Sequence, residues 1–184
     1  MPYYYSPFRK NYEQTAHNPT PVAKPCVFCD EAILAGQTLR THTGTLIENE
    51  HYRWVVNWYP RAEAHTMLVP TRHLTAIAEE TSEALIARQE LLVRCITILQ
   101  AAFPDSGVEV FLQTGKGSLS SIPHLHWHLV PTLPQHALTG FEKIGYFSAI
   151  EPAEAKVVMT PIEITIARDE LLTLVANTCK TMEK

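Results

Sequence analysis

Alternating apolar and polar positions organise the middle of the chain. The runs TGTLIEN (43–49), YRWVVNW (52–58) and HTMLVPT (65–71) carry a period of two and read as strands. ENEH makes a tight turn between the first two, and YPRAEA links the second to the third. The period then changes. Leu85, Ile86, Leu92, Cys95, Ile96 and Leu99 recur at helical spacing, with Ser82 as the N-cap and Thr81 as its near rival. Pro104 and Gly107 end that helix. VEVFLQT (108–114) and LHWHLVP (125–131) return to strand patterning around a Gly/Ser loop, GKGSLSS (115–121). Consecutive strands with one long helix predict an α+β fold built on an antiparallel sheet of about five strands.

The two ends are patterned differently. Residues 1–25 hold five prolines and show no period, which predicts an extended arm. Residues 26–36 are expected to form a short helix stopped by Gly36. Past Pro134, residues 156–167 read as one or two short strands or an irregular run. Residues 169–181 repeat Leu171, Leu172, Val175 and Cys179 as an amphipathic helix. This division gives an arm (1–25), a catalytic-domain candidate (26–134) and a C-terminal extension (135–184) packed on the same domain.

Composition narrows the function classes. With 46% apolar residues, 184 residues suffice for one domain with a normal core. A net charge of −4 and no basic run argue against a nucleic-acid surface, though not against small anions. No stretch approaches the ~20 apolar residues of a membrane span. The aromatic, polar start lacks the character of a signal peptide, so a cytoplasmic address is expected. Cys95 and Cys179 sit in apolar helical patterns and read as buried thiols. Cys26-x-x-Cys29 is spaced as a metal half-site or redox pair.

The densest chemistry is SIPHLHWHLVP (121–131). Three of the nine histidines, His124, His126 and His128, occupy alternate positions. On a strand they share one face, while Leu125, Trp127 and Leu129 take the other. A polar exposed face, a metal site and nucleophilic or acid–base chemistry are all compatible with that pattern.

Taken with VVNWYPRAEAHTMLVPTRH (55–73) and the cysteine pair, HLHWHLV (124–130) resembles the histidine triad (HIT) family of nucleotide hydrolases and transferases, in its zinc-bearing branch. The resemblance spans about residues 26–133 and implies a HIT-like fold. It implies that His126 is the nucleophile at the α-phosphorus of a nucleotide, with a backbone carbonyl of its own segment fixing the tautomer, and that His128 serves the phosphate oxygens or the leaving group. A nucleoside monophosphate is released, from a dinucleoside polyphosphate, a phosphoramidate or an adenylate. The resemblance further places Asn57 on the ribose and Gln113, Ser120 and Ser121 at the phosphates, although Ser120 stands where the family often has glutamine. Cys26, Cys29, His73 and His124 match the ligands of a structural zinc ion. His65 is read as structural, Lys116 as a candidate distal phosphate contact, and the protein as a homodimer. Pro123 before the histidines is also similar to the galactose-1-phosphate uridylyltransferases, which makes nucleotidyl transfer the alternative reaction. The aligned histidines also suit a catalytic zinc held by all three, or a nucleotide-binding module without catalysis.

Overall fold

A computed structural model describes residues 26–29, 44–57, 60, 62–115, 118, 120, 122–133 and 161–182, together with two short strands. Those strands, β1 (Tyr4–Tyr5) and β7 (Val157–Val158), pair in parallel and tie the two ends of the chain together. The main sheet holds β2 (Thr45–Glu48), β3 (Tyr52–Val56), β4 (Thr66–Pro70), β5 (Gly107–Leu112) and β6 (Trp127–Thr132). It is antiparallel throughout, in the order β2-β3-β4-β6-β5. Helices α1 (Ser82–Ala102) and α2 (Pro161–Met182) complete an α+β HIT-like fold.

Strand alternation sorts side chains onto two faces. Tyr52, Trp54, Val56, Leu68, Trp127 and Leu129 join the main core under α1, together with Leu125 just ahead of β6. Leu171 and Val175 of α2 enter the same core, and Leu172 lies so close to Gly44 that a Cβ there would meet it at 3.1 Å. On the opposite face Val55, Met67 and Val69 pack with Phe28 in a smaller cluster. The histidine segment lies on that second face.

Several expectations shift. Thr81, not Ser82, caps α1, its hydroxyl accepting from the Ala84 N–H. The inward stripe of α1 is Ala84, Leu91, Cys95, Ile98 and Leu99, whereas Leu85 and Ile86 are exposed. β6 begins at Trp127 rather than Leu125. The reason lies in β4, where Pro70 has no N–H to continue the ladder. The Leu125 N–H goes instead to the Leu74 carbonyl at 2.6 Å. Residues 161–167, read as strand or irregular, open α2, with Pro161 at its first position where a proline's fixed φ suits a helix. Of the helix expected over 26–36, residues 27–29 form a turn. Residues 30–36 lie outside the described residues, as does most of the 1–25 arm. Among the described residues no helix is long and apolar enough to cross a membrane.

Candidate active site and metal centre

The turn at Cys26-x-x-Cys29 is closed by the Cys29 N–H donating to the Cys26 carbonyl at 3.0 Å. It brings both thiols to one point. There they meet His73, from the loop after β4, and His124, and the four donor atoms lie within 4.8 Å of one another. His124 Nδ1 is 3.3 Å from Cys26 Sγ and 3.4 Å from Cys29 Sγ, and His73 Nδ1 is 3.3 Å from Cys29 Sγ. Metal–ligand bonds of 2.0–2.3 Å at tetrahedral angles put S and N donors about 3.5 Å apart. The donor set and its spacing therefore fit zinc. The other nitrogen of His124, Nε2, lies 3.0 Å from the Pro70 carbonyl. An N–H there donates to that oxygen and turns the Nδ1 lone pair toward the thiols. Burial and the adjacent Cys26 push the Cys29 thiol up to about 11. Burial lowers His124 to about 4, so its ring is neutral and able to ligate at neutral pH.

Because β6 starts only at Trp127, the His124 carbonyl stands outside the ladder. His126 uses it: its Nδ1 lies 2.7 Å from that oxygen, which fixes Nδ1–H as donor and leaves Nε2 with its lone pair. Phe28 walls the segment, 5.5 Å from the His124 ring and 5.4 Å from the His126 ring. The His126 and His128 rings stand 4.8 Å apart and nearly perpendicular. The three histidines thus do not meet at one point. His124 belongs to the cysteine cluster, and His126 and His128 stand outside it. That geometry disfavours a single metal held by all three.

His65, expected to be no more than a structural residue, stands at the edge of the site. It is buried, and its Nε2 lies 2.9 Å from His128 Nδ1. Asn57, also buried, places its amide 3.2 Å from His65 Nε2. The family-like block contains His65 but gives it no role in the site. Its place follows from the pairing of Met67 with His128 across β4 and β6, visible only once the register is known. Among the expected phosphate contacts, the Gln113 amide donates to the Ser118 carbonyl at 2.7 Å, bracing the loop. The Ser120 hydroxyl donates to the Ile122 carbonyl at 2.9 Å. Ser121 and Lys116 lie outside the described residues.

Known proteins share this fold. The HIT domain model matches residues 40–135, just over half of the chain. The chain belongs to the HIT family. An uncharacterised HIT-like protein of Saccharolobus solfataricus is 30% identical over 111 residues, covering 60% of this chain and 76% of the relative. Among solved structures, a diadenosine triphosphate hydrolase of Plasmodium falciparum superposes with a TM-score of 0.56 at 13% identity, covering 94% of this chain and 97% of that one. A zinc-bound histidine triad family protein of Mycobacterium smegmatis superposes with a TM-score of 0.54 at 17% identity, covering 85% and 97%. At such identities the superpositions establish the HIT fold.

Proposed function

We propose that the protein hydrolyses nucleotides at the α-phosphorus through a nucleotidyl intermediate on His126, releasing a nucleoside monophosphate. The observation that carries this reading is the 2.7 Å contact of His126 Nδ1 with the His124 carbonyl. A neutral imidazole pinned through one nitrogen presents the other as a nucleophile at neutral pH. His126 Nε2 forms the bond to phosphorus as the bond to the leaving oxygen or nitrogen breaks. His128 gives that leaving group a proton. Water then attacks the same phosphorus and yields a proton to His128, restoring it, while the P–N bond breaks and His126 departs as the neutral imidazole. His65, 2.9 Å from His128 Nδ1, orients the His128 ring so that its other nitrogen faces the reaction. The existence of a solved HIT-fold diadenosine triphosphate hydrolase supports dinucleoside polyphosphates as the first substrate class to test.

Cys26, Cys29, His73 and His124 would hold zinc, which would supply a structural clamp rather than a reacting centre. The His124 ring belongs to that cluster while its carbonyl serves His126. Asn57 is proposed for the ribose side, and the loop braced by Gln113, with Ser120 and Ser121, for the phosphates. The protein acts as a homodimer in the cytoplasm in this reading.

The test is incubation with diadenosine tri- and tetraphosphate, adenosine phosphoramidate and an acyl adenylate. Monophosphate release is expected, with an acid-labile nucleotidyl adduct on His126 and loss of both in His126→Ala. A folded His126→Ala protein that retains full turnover defeats the assignment. Turnover that appears only on adding inorganic phosphate or a sugar phosphate makes the protein a transferase.

A further inference from the structure

Behind the histidine segment, on the face away from the reaction, lies a buried charged cluster. Glu80, just ahead of α1, has only 1% of its side chain exposed, and Arg88 of α1 has 11%. Arg88 grips the carboxylate at two points, Nε to Oε1 at 3.1 Å and Nη2 to Oε2 at 3.4 Å. The Tyr52 hydroxyl donates to the same carboxylate. The guanidinium carbon sits 4.8 Å above the ring of Trp127, and Tyr52 meets that ring edge-on at 5.7 Å.

Trp127 occupies a special position. It is the first residue of β6 and pairs with Leu68 on one side and Leu112 on the other. Everything before it, including His124 and His126, lies outside the ladder. It therefore stands where the sheet ends and the segment carrying His124 and His126 begins. Trp127 also separates His126 from His128 in the chain.

Apolar packing alone does not require this arrangement. The inward stripe of α1 runs through Ala84, Leu91 and Cys95 while Leu85 and Ile86 face solvent. Arg88, at helical spacing from Ala84 and Leu91, takes a place on that stripe that a leucine would fill. A leucine would cover the indole without desolvating two charges, and apolar replacements for buried pairs are often neutral or stabilising. What a leucine lacks is a directional hold on the ring: the fork fixed by Glu80 and the cation–π contact set where the indole lies.

We propose that Arg88, fixed by Glu80 and Tyr52, is a positioning residue for the histidine pair, holding Trp127 so that His126 keeps its contact with the His124 carbonyl and its spacing from His128. This rests on the proposed nucleotidyl-histidine reaction for its kinetic readout. Its structural readout stands apart from that reaction.

The test compares wild type, the paired variant Glu80→Gln/Arg88→Met, which removes both buried charges together, and Arg88→Lys, which keeps a cation. Two quantities are measured in the zinc-loaded protein: steady-state cleavage of diadenosine triphosphate, and the ¹⁵N imidazole signals that report the tautomers of His126 and His128. The paired variant is expected to lose about ten- to hundredfold in kcat, the cost of a reacting group displaced by a fraction of an ångström, with KM within about threefold. Its His126 signal is expected to move from the single Nδ1–H tautomer to a mixture. Arg88→Lys is expected to recover part of both. A folded paired variant with wild-type kcat and an unshifted His126 signal overturns the proposal. If wild type cleaves no nucleotide, the proposed function falls, and the imidazole signals alone decide this proposal. If the paired variant does not fold, Trp127→Phe takes its place, and an unshifted His126 signal there overturns it equally.

Discussion

Two alanines offer a controlled test of how the backbone holds His65 in place. Ala64 and Ala84 belong to the same core and are almost equally buried, at 8% and 9% exposure. Their backbones differ. Ala84 lies in the first turn of α1, where its N–H is bound by the Thr81 hydroxyl. Ala64, in the turn that delivers His65, has φ of +57°, in the left-handed region. Replacing either by glycine removes one buried methyl group, at about 0.8 kcal/mol. At Ala84 the glycine adds a helix penalty of about 0.5–1 kcal/mol, so a loss of roughly 1.5 kcal/mol is expected. At Ala64 the glycine's freedom in the unfolded chain costs a similar about 0.5–1 kcal/mol, but it relieves about 1–2 kcal/mol of left-handed strain. The two contributions roughly cancel against the lost methyl, leaving a change near zero.

The measurement is urea denaturation of both variants at saturating zinc. Ala84→Gly should fall below wild type and Ala64→Gly should stay close to it, a gap of about 1–2 kcal/mol or several degrees in Tm. Ala64→Val should do worse than either, since a β-branched residue tolerates the left-handed region poorly. Equal losses for the two glycine variants would refute the reasoning. It would mean that the turn does not hold residue 64 left-handed in solution.

Three further outcomes are expected. Cys29→Ser should retain less zinc than wild type by elemental analysis, because three donors remain of the four that meet at that point. In the metal-free protein His124 is held down to about 4 against an ordinary 6.5, so the unfolded chain takes up the proton first on acidification. The stability due to the neutral His124 ring is thus complete above about pH 6.5 and lost as pH falls toward 4; urea midpoints with chelator present should decline across that window for wild type, and less so for His124→Asn. Thr81→Ala removes the hydroxyl that accepts from the Ala84 N–H, and should cost about 1 kcal/mol in the same urea assay.

Much of the fold is legible in the sequence because period-two alternation is a direct imprint of a sheet with two different faces. Tyr52, Trp54 and Val56 against Val55, and Leu68 against Met67 and Val69, separate cleanly between the two clusters. The grouping of Cys26, Cys29, His73 and His124 is legible through the family resemblance, which sets two distant histidines beside a local cysteine pair. What stays hidden depends on partners far along the chain. Ile162, Ile164 and Ile166 alternate like a strand, yet they lie within α2, which reaches the core through Leu171 and Val175 further along. The inward face of α1 escapes the apolar periodicity because small Ala84 and charged Arg88 occupy places expected of large apolar residues. His65 falls within the family-like block, but its place beside His128 is invisible there, since only the β4–β6 register brings the two together.

The late start of β6 links these observations. A carbonyl outside the ladder keeps both lone pairs for side-chain donors. Extending the pairing of Leu68 with Trp127 by two residues would set Leu125 opposite Pro70, where no N–H exists to sustain it. The proline therefore leaves its own carbonyl unclaimed by the β4–β6 ladder, and the segment ahead of Trp127 departs from the sheet. The Pro70 carbonyl takes the His124 ring, and within the departed segment the His124 carbonyl takes the His126 ring. Pro70→Ala restores an N–H at that point and lets the ladder compete for the segment. The expected result is a His126 imidazole whose ¹⁵N signals show a mixed tautomer, in a protein no less stable than wild type. A His126 that keeps a single Nδ1–H tautomer in a folded Pro70→Ala variant would show that the metal cluster and Trp127 hold the segment without help from the interrupted strand.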